Sequence, residues 1–352
     1  MKPLKHILSL LSLLALTAVS LTSCDSMIYD DEGDCSPYYK VRFEYRMHMQ
    51  GTPGKPQSYP DAFPYNVSSV TLYAVDAATG KVVWQKHESG ERVMAEGYEM
   101  DLPVDPGKYH LMAWCGEGHT TSFTVNESDH IDDLHCRMNR EYVSRAGEVA
   151  VSKERLGDLY HGREENLVMP DEQGVHYYTV NLTKDTNTIQ ILLQQLSGEP
   201  MDPDDFDMEI TATNGHLESD NTLRGNETIY YHPWKKGSSL SNIVYPSDEH
   251  PATELGAVMA EFSLSRLMLN DDLRLTVTNH STGETILSVP GVKLMQYLVQ
   301  FRGDNLSAMD SQEYLDREDE YKMMFFLDSG MRWVNTHIYI NSFKVVLQNV
   351  DL

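Results

Sequence analysis

The chain has 352 residues, with 53 acidic against 28 basic side chains and a formal net charge of −25. A surface that negative repels phosphate backbones, which excludes nucleic acid as a partner and gives no electrostatic hold on an anionic lipid face. Apolar residues make up 41% of the chain, enough for ordinary cores, and the length fits two domains of roughly 100–200 residues each.

The N-terminus opens with Lys2 and Lys5 and no acid, followed by a 15-residue apolar run from Ile7 to Leu21. A membrane-spanning helix needs roughly 20 residues, so the run is a signal-peptide core and residues 1–23 are expected to be cleaved. Leu21-Thr22-Ser23-Cys24 resembles the bacterial lipobox, in which the cysteine is lipidated through sulfur and becomes the first mature residue. The other reading is an ordinary cleaved signal followed by a coincidental cysteine. One acyl chain holds a protein to a bilayer weakly and two hold it stably, so a lipidated Cys24 is a sufficient anchor. Residues 24–35 carry Asp25, Asp30, Asp31, Glu32 and Asp34 and read as a hydrated acidic tether. No later apolar stretch is long enough to span a bilayer.

From residue 36 the pattern is β. "YKVRFEYRM" places Tyr39, Val41, Phe43, Tyr45 and Met47 on one face and Lys40, Arg42, Glu44 and Arg46 on the other, the alternation of a half-buried strand. "GTPGKPQSYPDAFPYN" reads as an exposed connection. "SVTLYAVD" and "KVVWQKH" flank the turn "AATG" as a hairpin. "DPG" at 105–107 has the residues of a tight turn and leads into "KYHLMAWC", with Tyr109, Leu111, Ala113 and Cys115 on one face. "LYHGREENLVMPDEQG" reads as a loop closing a first domain. "VHYYTVNL" and "TIQILLQQL" are strands around the polar break "LTKDTNT", which sets the expected division into residues 36–184 and 185–352. "FDMEITAT", "LRLTVTN", "TILSVP" and "HIYINSFKVVL" continue the strand series. "SQEYLDREDEY" is a helix with Ser311 as N-cap.

Residues 71–84 (TLYAVDAATGKVVW) and 274–287 (RLTVTNHSTGETIL) align without gaps. Either two related domains stand in tandem, or two hairpins share a common pattern. Apolar residues on both faces of His337–Leu347 suit a strand covered on both sides.

With Cys24 assigned to lipid, Cys35, Cys115 and Cys136 remain, enough for one bridge in an oxidising compartment. The expected pairing is Cys35–Cys136, with Cys115 in the core. No zinc spacing is present. Asp202, Asp204, Asp205 and Asp207 cluster without the sixth-position glycine of an EF-hand, so a solvated acidic turn is preferred over calcium. No G-x-S-x-G, H-E-x-x-H, P-loop or G-x-G-x-x-G occurs, and neither an enzyme nor a cofactor is expected. Trp84, Trp114, Trp234 and Trp333 either fill cores or stack on sugars. The sugar-stacking alternative describes a surface glycan-binding lipoprotein.

The blocks "CDSMIYDDEGDCS", "PGKYHLMAWCG", "CRMNREY", "LTKDTNTIQILLQQLSGEPMD", "QEYLDREDEYKMMFFLD" and "RWVNTHIYINSFKVVL" resemble, in order, the fimbrillin-associated anchor-subunit lipoproteins of type V pili in Bacteroidetes. That resemblance implies an all-β fold of two tandem transthyretin-like β-sandwich domains after a lipidated N-terminal tether. It implies a structural protein in the cell outer membrane, held by lipid at Cys24, and the acidic stretch after Cys24 resembles the export tags of surface lipoproteins, which implies a surface-exposed position. Its implied role is to bind fimbrial subunits (fimbrillin), hold the filament and limit its growth. Subunits of this class join by strand exchange, a form of β-augmentation.

Overall fold

The computed structural model describes residues 36–50, 58–116, 122–145, 147–197, 199–225, 227–241, 255–300, 309–334, 337–340 and 343–346. The described strands form two sandwich-like units that meet at Asp185.

The first unit is built on a seven-stranded sheet. Its order is Val82–Ser89, Ser69–Asp76, Gly107–Gly116, Leu159–Met169, Gly174–Lys184, Pro37–Met47 and Glu99–Asp101. Leu159–Met169 and Gly174–Lys184 share just two residue pairs, Tyr160↔Lys184 and His161↔Thr183. The strands on either side of that seam bring their apolar faces together. Tyr39, Val41, Phe43 and Tyr45 from the first strand join Val70, Leu72, Leu111, Ala113 and Cys115 in one buried cluster. The alternation read from the sequence is therefore the cause of the packing.

The opposite face of Gly107–Gly116 is apolar as well. Met112 and Trp114 pack with Tyr73, Val75, Ile131, Leu134, Cys136 and Leu217 beneath a three-stranded sheet of Phe123–Val125, His135–Met138 and His216–Glu218.

The stretch from residue 159, expected as a loop, is instead a strand inside the sheet, paired with Gly107–Gly116 from Leu159↔Gly116 to Met169↔Gly107. Two features hid it. Gly162 is a packing glycine: an added Cβ would stand 2.5 Å from Val180 Cγ1 and 2.6 Å from the Asn181 carbonyl oxygen. The run Arg163-Glu164-Glu165-Asn166 leads into a register shift between Glu164 and Leu167, with Asn166 at φ 58°. A bulge breaks the period-two signal that marks a strand.

The second unit is a sandwich of two six-stranded sheets. One runs Lys235–Ser241, Leu255–Ser265, Thr186–Gln195, Glu320–Leu327, His337–Ile340 and Phe343–Val346. The other runs Thr285–Val289, Arg274–Asn279, Phe206–Ala212, Ile229–Tyr231, Gly147–Ser152 and Glu141–Arg145. Ile189, Ile191, Phe262 and Phe325 from the first meet Phe206, Met208, Ile210 and Val277 from the second. Leu294, Met295 and Leu298 of the helix Gly291–Gln300 close the same core.

The helix expected near residue 311 is Ser311–Arg317, but its N-cap is Asp310, not Ser311. The Asp310 carboxylate accepts from the Glu313 backbone N–H at 2.8 Å, satisfying one of the donors that a helix start leaves open. The segment expected as one strand, His337–Leu347, is two antiparallel strands paired from His337↔Val346 to Ile340↔Phe343. Residue 347 lies outside the described residues.

Two segments cross between the units. The hairpin Glu141–Arg145 and Gly147–Ser152 precedes the crossover in sequence yet extends a sheet of the second sandwich, with Gly147–Ser152 parallel to Ile229–Tyr231. In return, His216–Glu218 pairs with His135–Met138 in the first unit.

Candidate functional site

The lipidated tether expected from the sequence would lead into Pro37–Met47, which pairs with Gly174–Lys184 in parallel register beginning at Pro37↔Gly174. The expected lipidation residue Cys24 lies outside the described residues, as does Cys35. Cys136, its expected disulfide partner, is fully buried opposite Leu217. Cys115 is buried among the face mates expected for it. Burial pushes both thiols well above their ordinary range.

The two units are joined by a short buried connection. Gly174–Lys184 ends and Thr186–Gln195 begins on either side of Asp185, which is fully buried. Its backbone N–H donates to the Leu159 carbonyl at 2.7 Å. Its carboxylate accepts from Asn221 Nδ2 at 2.9 Å and lies 3.4 Å from Arg266 Nη1. Burial raises the Asp185 carboxyl to about 8, with Arg266 opposing that rise. Arg266 also holds Asp316 at 2.7 Å.

Beside the joint, Lys184 Nζ bridges Asp319 at 2.6 Å and Asp158 at 3.3 Å. Burial would lower the Lys184 pKa, but these two carboxylates outweigh it and raise the value. Partnered buried charges of this kind fix geometry more than they add stability. The crossing hairpin is fastened too. Arg140 is ion-paired with Glu227 and donates to the Gly215 carbonyl at 3.0 Å, and Tyr142 Oη donates to Glu227 at 2.9 Å.

One sheet of the second unit ends, among the described residues, at the C-terminal hairpin. His337–Ile340 pairs with Glu320–Leu327 through Met323↔Ile340 and Met324↔Tyr339, and Phe343–Val346 is the last described strand of that sheet. Ile338 and Ile340 are fully buried in the sandwich core. Tyr339 points the other way, edge-on to Phe326 at 5.8 Å. The turn before the hairpin is set by Asp328, whose carboxylate accepts from the backbone N–H groups of Gly330 at 2.8 Å and Arg332 at 2.9 Å. Those hydrogen bonds hold Asp328 below the usual carboxylate range.

The remaining candidates do not assemble into a site. Trp114 is buried, Trp84 packs against the first core and Trp333 against the second. Of the acidic cluster, Asp202 caps a short 3-10 turn, receiving the Asp204 N–H at 3.0 Å, and Asp207 pairs with His280 at 2.9 Å. Among the described residues no group of three or more His, Cys, Asp or Glu could hold a metal ion. An open cleft of about 640 Å³ on the second unit is lined by Asp207, Glu209, His232, Lys236, Thr276 and Thr278 among others, with no Phe, Tyr or Trp among the described lining residues.

The family model for fimbrillin-A associated anchor proteins Mfa1 and Mfa2 matches residues 31–349. This chain belongs to that family. The anchor family is a structural one, associated with fimbriae at the cell envelope, and not a family of enzymes. A putative adhesin from Bacteroides thetaiotaomicron is 31% identical, with a TM-score of 0.76 over 90% of this chain and 100% of its own. A structure described as putative polysaccharide binding proteins, from the same organism, is 25% identical at a TM-score of 0.69, over 90% of this chain and 99% of its own. The fimbrial anchor protein Mfa2 from Porphyromonas gingivalis has the same fold at 15% identity, with a TM-score of 0.61 over 89% and 99%. Among curated proteins, none matches this sequence.

Membership rests on the match over residues 31–349, and neither the tryptophans nor the acidic cluster forms part of its basis. The crossing hairpin left no sign in the sequence. The polar break LTKDTNT marks the stretch around Asp185, but nothing in it signals that the Asp185 side chain is buried.

Proposed function

We propose that this protein anchors a fimbria to the outer membrane as a lipoprotein attached through Cys24. The tether 24–35 feeds a body of two units, residues 36–184 and 185–352, with the two crossing segments exchanged between them. Membership of the anchor family over residues 31–349 carries this reading. The edge strand Phe343–Val346 supports the rest of it. A filament subunit adds its own extended strand there by β-augmentation, in which main-chain hydrogen bonds supply affinity, and holding the first subunit limits filament growth.

Two experiments test the two ends. Cys24→Ala is expected to lose labelled fatty acid and to leave the membrane fraction, and an unlabelled variant still retained there would defeat the lipid attachment. At the other end, Ile338 and Ile340 belong to the core, so the hairpin must not be removed whole. A chain ending at Ser342 keeps both. It is expected to stay folded and membrane-bound while filaments appear in the medium. Filament retention by that truncated chain would overturn the edge-strand role.

A further inference from the structure

Two of the three parallel strand pairings among the described residues stand in a particular relation to one another. Pro37–Met47 and Gly174–Lys184 run parallel through eight consecutive residue pairs, from Pro37↔Gly174 to Glu44↔Asn181. Thr186–Gln195 and Glu320–Leu327 also run parallel through eight pairs, from Thr188↔Glu320 to Gln195↔Leu327. The second member of the first pair and the first member of the second are joined through Asp185 alone.

Consider tension applied at residue 36 and at the turn after Leu327. It pulls Pro37–Met47 by its leading end and Gly174–Lys184 by its trailing end. Because the strands are parallel, those ends lie at opposite extremes of the pairing. The force acts along the strands, and every hydrogen bond between them resists together. The same holds for the second pair, pulled at Thr186 and at Leu327. An antiparallel hairpin pulled by its two free ends opens one bond at a time, since those ends are adjacent.

The short path between the two pairs is also guarded. Asp185 donates its N–H to Leu159, Lys184 bridges Asp158 and Asp319, and Arg317 Nη1 donates to the Arg46 carbonyl at 3.1 Å. The exchanged segments 141–152 and 216–218 fasten the units a second time.

We infer that the fold is built to carry tension from its N-terminal end to the far end of the second sandwich, through two parallel pairs in series, each loaded in shear. Its use in holding a filament rests on the anchor reading, but the mechanical anisotropy does not. Forced unfolding is governed by the unfolding rate and not by equilibrium stability, so resistance depends on the direction of pull.

Single-molecule force spectroscopy on the purified mature chain tests this with three handle placements. Glu172 and Ser329 are exposed and sit in turns next to the relevant strands, so handles there leave the cores intact, as a thermal melt of each labelled chain checks. Pulling between the N-terminus and Ser329 is expected to need several times the force of pulling between the N-terminus and Glu172, which unzips the first pair from its Gly174 end. Pulling between Glu172 and Ser329 bypasses the first pair. It is expected to keep the high force and to show one major rupture fewer. Equal forces in the first two geometries would overturn the inference, as would low force in the third. A mechanically strong chain that fails to retain filaments on cells would defeat the anchor reading while leaving this one standing.

Discussion

The turns at Asp76–Lys81 and Asn279–Glu284 are built alike in different sheets. Asp76 Oδ1 accepts from the N–H groups of Ala78 and Thr79, and Asn279 Oδ1 accepts from those of Ser281 and Thr282. Gly80 and Gly283 close the turns at φ 72° and 70°, each donating its N–H to the carbonyl of the turn's first residue. Both hairpins shift register at equivalent places, between Ala74 and Val75 and between Val277 and Thr278. Their surroundings differ. Gly80 is roofed by the 128–131 segment: the Ile131 N–H donates to its carbonyl at 2.9 Å, and an added Cβ would stand 2.7 Å from His130 Nε2. Gly283 has nothing within 4 Å of that position. The side chains of a Thr-Gly turn set its shape, while its neighbours set what a change costs.

The largest expected effect is at the roofed turn. Gly80→Ala adds a left-handed backbone penalty of about 1–2 kcal/mol to the cost of displacing the His130 ring, whose Nε2 lies 3.1 Å from the Thr79 carbonyl oxygen. Urea unfolding should show the lower midpoint. Next comes the coupling. In a His130→Ala background the penalty of Gly80→Ala should shrink towards the backbone term alone, and strict additivity of the two changes would mean that the roof is not the cause. Gly283→Ala should cost about 1–2 kcal/mol, the backbone term without the clash. A loss as large as that of Gly80→Ala would erase the distinction between the turns.

The smallest effect separates the acid from the amide. Hydrogen bonds from Thr79 hold the Asp76 carboxyl below its ordinary 3.8. A carboxyl depressed by folding contributes stability above the unfolded value and loses it as the pH falls through the folded value. Asp76→Asn should therefore flatten the acid limb of a stability–pH curve below pH 3.8, and Asn279→Asp should steepen it. Parallel curves for the wild type and both variants would show that the turn carboxylate is not linked to folding.

Strands with one wet face were legible because their side chains alternate, as in Tyr39, Val41, Phe43 and Tyr45. The echo between residues 71–84 and 274–287 was legible because turn chemistry is local. The strand from Leu159 was not, since Gly162 serves packing and a bulge interrupts the alternation. Asp310 and Ser311 are equally good capping types one residue apart, and only backbone geometry makes Asp310 the cap. The reversal between Ile340 and Phe343 is marked in the sequence by Asn341 and Ser342 alone, and two polar residues also fit within a continuous alternating strand. The exchange of segments 141–152 and 216–218 left no local mark, since a hairpin looks the same in either sheet. At the candidate site, the C-terminal edge was legible as a strand but not as a hairpin whose first half belongs to the core.

The exchanged segments also govern the order in which the chain can fold. The cover over Met112 and Trp114 includes Leu217, and the second core includes Ala150 and Leu156. Neither unit can finish until residues from the other have arrived. Contacts so distant in sequence slow folding and prolong the exposure of unpaired edges. A chain emerging N-terminus first would keep its first unit incomplete until at least residue 218 had emerged. Such a delay lengthens the interval in which the open strand edges of both units stand unpaired and prone to association with other chains.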